Sequence, residues 1–193
     1  MFSPLLVAIA VAIKMTSRGP LLFKQQRLGQ YGKGFTFLKF RSMYVGADET
    51  IHEKYVKQFI SESAGSGDVG SNCGEVYKIK ADSRVTRVGR FIRRTSLDEL
   101  PQFFDCLMGR MSLVGPRPPL PYEFTSYQTW HKRRLLVVKP GITGLWQVKG
   151  RSRVKFNDMV RMDLEYARTW SLWMDIKILL QTPLAMISGH GAY

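Results

Sequence analysis

The 193 residues are 45% hydrophobic and 23% charged, which excludes a disordered chain and leaves ample apolar material for one core. Lys and Arg number 29 against 15 Asp and Glu, a formal charge of +14, so the partner is expected to be polyanionic: nucleic acid, anionic lipid or a phosphorylated metabolite. The two cysteines, Cys73 and Cys106, make neither a disulfide framework nor a metal-type spacing and fit a reducing, cytosol-facing setting.

In chain order, Leu5 to Ile13 is an unbroken apolar run ending at Lys14. As a helix it reaches about 14 Å, against about 30 Å for a full crossing of the hydrocarbon. It reads as a buried helix or as half of a re-entrant membrane element, with Ser3-Pro4 marking a bend. A signal-peptide core is disfavoured, since no basic stretch precedes it. No Asp or Glu occurs before Asp48, whereas Lys14, Arg18, Lys24, Arg27, Lys33, Lys39 and Arg41 do. A basic stretch after an apolar segment suits a membrane surface facing the cytoplasm, or simply a solvated basic hairpin.

Leu21 to Gln26 and Phe35 to Arg41 read as strands joined through Gly29, Gly32 and Gly34. Ala47 to Ser63 has helical spacing, and Ala64 to Ser71 reads as a flexible loop, the two forming part of an insertion. Arg87 to Arg94 reads as a short basic helix. A further helix is expected to run from the acidic pair Asp98-Glu99 through Leu107. Tyr122 to Val138 is expected to be one helix, basic at His131, Lys132, Arg133 and Arg134. Asn157 to Trp170 and Leu172 to Ile187 complete the set, the last interrupted near Pro183. That last helix is apolar nearly all round, as a buried helix or an interfacial one with Trp170 and Trp173 would be. The fold class is therefore α+β, mostly helical with a small β-hairpin.

Asp98 and Glu99 are the candidate chemistry: a nucleophile and a metal ligand inside a basic protein. Ser96 followed by Glu99 is also a capping box, which would merely tie down a helix start. Arg84, Arg87, Arg90, Arg93 and Arg94 lie just upstream, and arginine is suited to bidentate phosphate contact. Gly115-Pro116-Arg117-Pro118 sets Arg117 on a rigid backbone. Pro140-Gly141-Ile142-Thr143-Gly144 is a second turn-rich motif. There is no P-loop, GxGxxG motif or Cys/His cluster. His52, His131 and His190 have no evident nucleophile partner and read as surface residues. A nucleic-acid stripe would interleave aromatics with these arginines, and few are present.

Taken together, GPLLFKQQRLGQYGKGFTFLKFRSM, DSRVTRVGRFIRRTSLDELPQFFDCLMGRMSLVGPRPPLP, KPGITGLWQVKGRSRV and MDLEYARTWSLWMDIKILLQT resemble the bacterial sugar transferase family, the monotopic phosphoglycosyl transferases. The ending SGHGAY is similar to the undecaprenyl-phosphate galactose phosphotransferase branch. The resemblance implies that Asp98 attacks a UDP-hexose, galactose first and glucose second, releasing UMP and leaving an aspartyl-phosphosugar. Undecaprenyl phosphate then collects the sugar phosphate, as the first membrane step of exopolysaccharide or O-antigen synthesis.

By motif position, Glu99 would hold Mg²⁺, Lys39 matches the active-site lysine, Arg117 the phosphate-contacting arginine, and Arg93 an arginine near a lipid headgroup phosphate. Arg41 and Arg90 are grouped with them as substrate-binding. Ser3-Pro4 matches the break of the re-entrant helix. Residues 1–17 would then be a truncated remnant of that helix, and 18–193 a single catalytic domain with an insertion at 48–80 and C-terminal amphipathic helices. The domain would sit on the cytoplasmic face of the bacterial inner membrane, against anionic lipids, with no nucleic-acid partner. The alternatives are a basic nucleic-acid-binding domain and an inactive membrane-surface scaffold. Three positions depart from the family's habit. Arg110 stands in GRMS where an acid is usual, Lys139 precedes PGITG where arginine is usual, and Asp105-Cys106 replaces Asn-Val.

Overall fold

The computed structural model describes residues 3–46, 50–65, 82, 84–150 and 154–187. Cys73, His190, the proposed loop at 64–71 beyond Gly65 and the whole SGHGAY ending from Ser188 onward lie outside them. The chain is α+β. Helix α1 (Ser3–Thr16) leads into strands β1 (Leu22–Leu28) and β2 (Gly34–Phe40), joined through a 3-10 turn at Gln30–Gly32. Helices α2 (Thr50–Gly65) and α3 (Arg87–Arg94) follow, then a 3-10 turn at Leu97–Glu99 and α4 (Gln102–Leu107). Strand β3 (Ser112–Val114) precedes three short helices, α5 (Pro121–Thr125), α6 (Thr129–Lys132) and α7 (Arg134–Val137). Strand β4 (Gly141–Thr143), α8 (Leu145–Lys149), α9 (Phe156–Thr169) and α10 (Leu172–Ile187) finish the described chain.

The β1–β2 register pairs Phe23 with Lys39, Gln25 with Phe37 and Arg27 with Phe35. Directly opposed residues share a face of the hairpin. One face therefore carries Phe23, Gln25, Arg27, Phe35, Phe37 and Lys39, and the other Leu22, Leu38 and Phe40. Leu22 and Phe40 on this second face join α1 (Leu6, Ile9, Ile13) and α3 (Val88, Ile92) in one apolar cluster.

The second sheet is parallel, Ser112 opposite Gly141 and Val114 opposite Thr143. Glycine makes it possible. A Cβ on Gly141 would lie 2.1 Å from the Gly115 nitrogen, and one on Gly115 would lie 2.3 Å from the Lys139 carbonyl oxygen. Gly115 N donates to Thr143 O at 2.9 Å, and Gly141 N to Pro116 O at 2.9 Å. The two turn-rich motifs are thus locked backbone to backbone. This pairing was not legible beforehand, because three-residue strands carry too little alternation to read.

The largest apolar cluster joins Val56, Phe59 and Ile60 of α2 to Tyr127, Trp146, Phe156, Met159 and Val160. Helix α2 falls within the stretch read as an insertion, yet it supplies part of the core. Helix α10 is not buried all round: Ile178 is 1% exposed, while Leu172, Trp173, Leu180 and Leu184 are each over 60% exposed. Nor does Pro183 interrupt it. One N–H is lost near the helix end, and the remaining ladder carries the last turn. Among the described residues, no helix is long and apolar enough to cross a membrane. Pro4 occupies the first turn of α1, where a proline's missing N–H costs nothing.

The stretch expected as one helix over 122–138 divides into three. Gln128 takes an extended backbone, its N–H donates to His131 Nδ1 at 3.1 Å, and His131 Nε2 bonds Asn157 Oδ1 at 3.0 Å. His131 is therefore not a surface residue; it is fully buried, and burial lowers its pKa. Arg134, expected on the basic face, is also buried. It donates to Asp163 Oδ2 at 2.8 Å and to the Tyr127 hydroxyl at 2.5 Å. His52 is likewise half-buried rather than a surface residue, with Nδ1 2.7 Å from the Tyr122 hydroxyl.

Two stability tests follow from these buried groups. Arg134→Leu strands the Asp163 carboxylate and is expected to cost about 3–5 kcal/mol in chemical denaturation, with Arg134→Leu/Asp163→Leu less damaging than the single change. His52 is pushed from the ordinary 6.5 to about 4, chiefly by burial and then by Arg117. A depressed histidine contributes stability that is present above its unfolded pKa and is lost as pH falls through the folded value. The free energy of unfolding should therefore drop between pH 6.5 and 4, by up to about 3 kcal/mol, and His52→Gln should flatten that slope, as chemical denaturation at a series of pH values would show.

Candidate active site

A cleft of about 380 Å³ opens on the Lys39 face of the hairpin. Its charged wall is Arg27, Lys39, Arg93, Glu99 and Arg117; its uncharged wall is built from β4, α8 and the end of α10. Lys39 organises the first wall. Its Nζ donates to Glu99 Oε1 at 2.7 Å and lies 3.9 Å from Asp98 Oδ2. The Lys39 ammonium also lies 5.5 Å from the centre of the Phe37 ring, and the Arg27 guanidinium 4.7 Å from it. Both cations thus pack against the one Phe37 ring.

The acidic pair arrives on a 3-10 turn, not on a capped α-helix. Ser96 adopts the left-handed conformation (φ 54°) and its side chain makes no cap. Such a conformation costs a non-glycine residue about 1 kcal/mol or more and is typical of functional turns. Glu99 therefore does not close a capping box: its carboxylate turns to Lys39 instead. Glu99 lines the cleft, whereas Asp98, with a side chain 10% exposed, stands behind that wall.

Of the other expected site residues, Arg117 and Arg93 line the cleft. Arg93 Nη1 is buried with no hydrogen-bond partner, the state of a donor aimed at an anion. Arg41 is placed elsewhere: its guanidinium is held by Ser17 O at 2.6 Å, Ser17 Oγ at 2.9 Å and Arg18 O at 3.1 Å, clasping the turn after α1. Arg90 is exposed on α3 and does not line the cleft. Ser3 and Pro4 stand at the start of α1, and Pro4 does not line the cleft.

Sequence reasoning overlooked Arg27. It is 4% exposed, donates to Pro118 O at 2.6 Å and so anchors the loop carrying Arg117. Ending the first strand at Gln26 hid it. Carried two residues further, the alternation places Arg27 on the Phe37–Lys39 face.

The sequence profile described as bacterial sugar transferase matches residues 1–189. The chain belongs to the bacterial sugar transferase family. It is 44% identical over 175 residues to galactosyl transferase CpsE of Streptococcus agalactiae serotype III, covering 90% of this chain and 36% of that protein. It is 41% identical over 191 residues to the undecaprenyl-phosphate galactose phosphotransferase of Salmonella typhimurium, covering 99% and 38%. It is 40% identical over 200 residues to the UDP-glucose:undecaprenyl-phosphate glucose-1-phosphate transferase of Escherichia coli K12, covering 100% and 38%. The chain thus spans little more than a third of the length of these curated relatives.

Two of the departures from the family's habit meet in space. Asp105 is fully buried, and its Oδ2 accepts the Leu38 N–H at 3.2 Å. Arg110 Nη1 reaches its other oxygen at 3.4 Å. Burial raises the Asp105 pKa, and the Leu38 N–H and Arg110 oppose that rise. The acid at 105 and the base at 110 therefore compensate each other. The Leu38 N–H bond to Asp105 ties α4 to the strand residue adjoining Lys39, fixing the distance between Lys39 and the acidic turn. Arg110→Asp is expected to lower stability by about 1–3 kcal/mol through a like-charge contact with a buried carboxylate. Asp105→Asn/Arg110→Asp should recover most of it, as thermal denaturation of wild type, the two single variants and the double variant would show.

Proposed function

We propose that this chain is the catalytic part of a phosphoglycosyl transferase that moves hexose-1-phosphate from a UDP-hexose to undecaprenyl phosphate. The observation that carries the reading is the Lys39 ammonium at 2.7 Å from Glu99 and 3.9 Å from Asp98, on the wall of a cleft that also holds Arg27, Arg93 and Arg117. A carboxylate is a weak nucleophile toward a diphosphate, whose own negative charge repels it. Neutralising that charge is the first requirement. Arg93 and Arg117 meet the phosphate oxygens, and Lys39 holds the acidic turn in place.

The Asp98 carboxylate turns from behind Glu99 into the cleft and attacks the phosphorus that bears the sugar. The Asp98 oxygen–phosphorus bond forms, the bond from that phosphorus to the bridging oxygen breaks, and UMP leaves with the electron pair. A phosphate oxygen of the lipid acceptor then attacks the same phosphorus and releases the Asp98 carboxylate. The covalent stage divides a transfer between a soluble donor and a lipid acceptor into two visits to one side chain.

Mg²⁺ suits the donor set. Asp98 and Glu99 offer hard oxygens, and magnesium is commonly bound by one or two carboxylates together with substrate phosphates. No group of three or more metal-ligating side chains occurs among the described residues. Glu99 would hold the ion beside the Asp98 nucleophile, and the ion would supply charge neutralisation on the diphosphate.

Exposed apolar side chains support a place on the cytoplasmic face of the bacterial inner membrane. Helix α1 shows Val7, Val11 and Met15, α4 shows Phe103, Phe104, Leu107 and Met108, and α10 shows Leu172, Trp173, Leu180 and Leu184. Such surface, flanked by the exposed Arg87, Arg90 and Arg94, suits an anionic leaflet. The first membrane step of exopolysaccharide or O-antigen assembly fits this chemistry. The nucleic-acid reading loses ground, because Arg27, Arg41, Arg84 and Arg134 direct their guanidiniums to internal partners.

Intact-protein mass spectrometry after mixing with UDP-galactose or UDP-glucose and Mg²⁺ tests the proposal. A hexose-phosphate adduct is expected on the wild-type chain and on no Asp98→Asn protein. The variant should also lose exchange between UMP and UDP-hexose by roughly a thousandfold or more. Wild-type-like exchange by the variant would remove Asp98 from the mechanism.

A further inference from the structure

Two side-chain amides that line the cleft, one from α4 and one from α8, have unfilled hydrogen-bonding capacity. Gln102, on the first turn of α4, is 2% exposed, and its Nε2 is shielded from solvent with no hydrogen-bond partner. Gln147, on α8, donates from Nε2 to Ile142 O at 3.4 Å, while its Oε1 is shielded and equally without a partner. Both line the cleft. An unmet buried amide atom costs about 1–3 kcal/mol, and a native fold that keeps two beside a ligand cleft points to a ligand that meets them.

Their surroundings restrict that ligand. The two threonine hydroxyls of the cleft are already occupied: Thr143 Oγ1 and Thr182 Oγ1 are 2.8 Å apart, and Thr182 donates to Ile178 O at 2.8 Å. Trp146, Ile142, Ala185 and Met186 supply the walls. An apolar slot offering one donor and one acceptor poorly suits a hexose, whose several hydroxyls each need a partner. It suits a flat heterocycle with a single polar edge.

The geometry points to Gln102 and Gln147 as the residues that read the nucleobase of the donor, and to uracil as the base they select. This rests on the proposed UDP-hexose reaction. Uracil presents an N3–H donor flanked by carbonyl acceptors. The Ile142 carbonyl accepts from Gln147 Nε2 and leaves the amide oxygen free, so Oε1 accepts from N3–H. Gln102 Nε2 then donates to the C4 carbonyl oxygen. Cytosine inverts both groups, offering a bare N3 to an acceptor and an amino group to a donor. The last torsion of a glutamine is soft, so the amides can meet an incoming ring edge without backbone movement. With the diphosphate on Arg93 and Arg117, the base lies toward α8 and α10.

Calorimetric titration with UMP and CMP tests this on the full chain. Wild type is expected to prefer UMP by about ten- to a hundredfold, the scale of one or two mispaired hydrogen bonds. Gln102→Glu replaces the donor with acceptors and should cut that ratio at least about tenfold, with Gln147→Leu lowering UMP affinity more than CMP affinity. Circular dichroism matching wild type would establish that both variants fold, and Gln102→Met supplies a near-isosteric second probe. UMP binding with an unchanged UMP-to-CMP ratio in all three variants overturns the inference while leaving the transferase reading intact. An altered preference between UDP-galactose and UDP-glucose at a constant ratio would reassign the amides to the sugar and also overturn it. Wild-type protein that takes up neither UMP nor UDP-hexose overturns both readings.

Discussion

The contact between Lys39 and the Asp98-Glu99 turn is the constraint on which the rest of the site depends. It joins a strand to a 3-10 turn some 60 residues later in the chain, and neither element could place its side chain without the other. The hairpin register puts Lys39 on the cleft face and turns Leu22 and Phe40 toward α1 and α3. Asp105 then holds the backbone of Leu38, so the strand and the helix that follows the acidic turn cannot slide apart. A slip of one residue in β2 would exchange Lys39 for a core residue, which makes the site's geometry and the core's integrity the same requirement.

The opposite wall follows the same logic with backbone in place of charge. Gly115 and Gly141 let β3 and β4 approach until no Cβ fits between them. That approach brings the loop bearing Arg117 against the strand that precedes α8, and Arg27 ties the loop to the hairpin through Pro118 O. The two turn-rich motifs are functional in position because they are structural in contact.

Much of this was readable in advance. The hairpin, α3, α9 and α10 follow from alternation, helical period and breaker residues, and the acidic pair with Lys39, Arg93 and Arg117 from motif order. What escaped detection depended on tertiary partners. Ser96 and Glu99 have capping-box chemistry, but the proximity of Lys39 redirects Glu99, and no local rule reports a lysine that distant. His131 and Arg134 have the composition of a solvated basic face, yet Asn157 and Asp163 of α9 draw them inside. Arg41 sits in a conspicuous motif and serves the turn at Ser17-Arg18 instead. The basic surplus of the sequence is thus a mixture, part holding the fold, part lining the cleft and part left on the surface.

The cleft's rim extends this division of labour. Phe103 lines the cleft and is also 48% exposed, beside Phe104 and Leu107 on α4. Thr182, Ala185 and Met186 line it from α10, whose other side shows Leu180 and Leu184. Two helices therefore carry apolar surface to the edge of a strongly cationic site. On the proposed reading this is what the reaction demands. The lipid acceptor keeps its chain in hydrocarbon and brings only a phosphate to the arginines, while the soluble donor enters along the uncharged wall. A site buried deeper would have to extract the lipid from its bilayer, and one placed further from α4 and α10 would leave its phosphate out of reach of Asp98. The placement of the acidic turn directly before α4 satisfies both limits with a single short segment of chain.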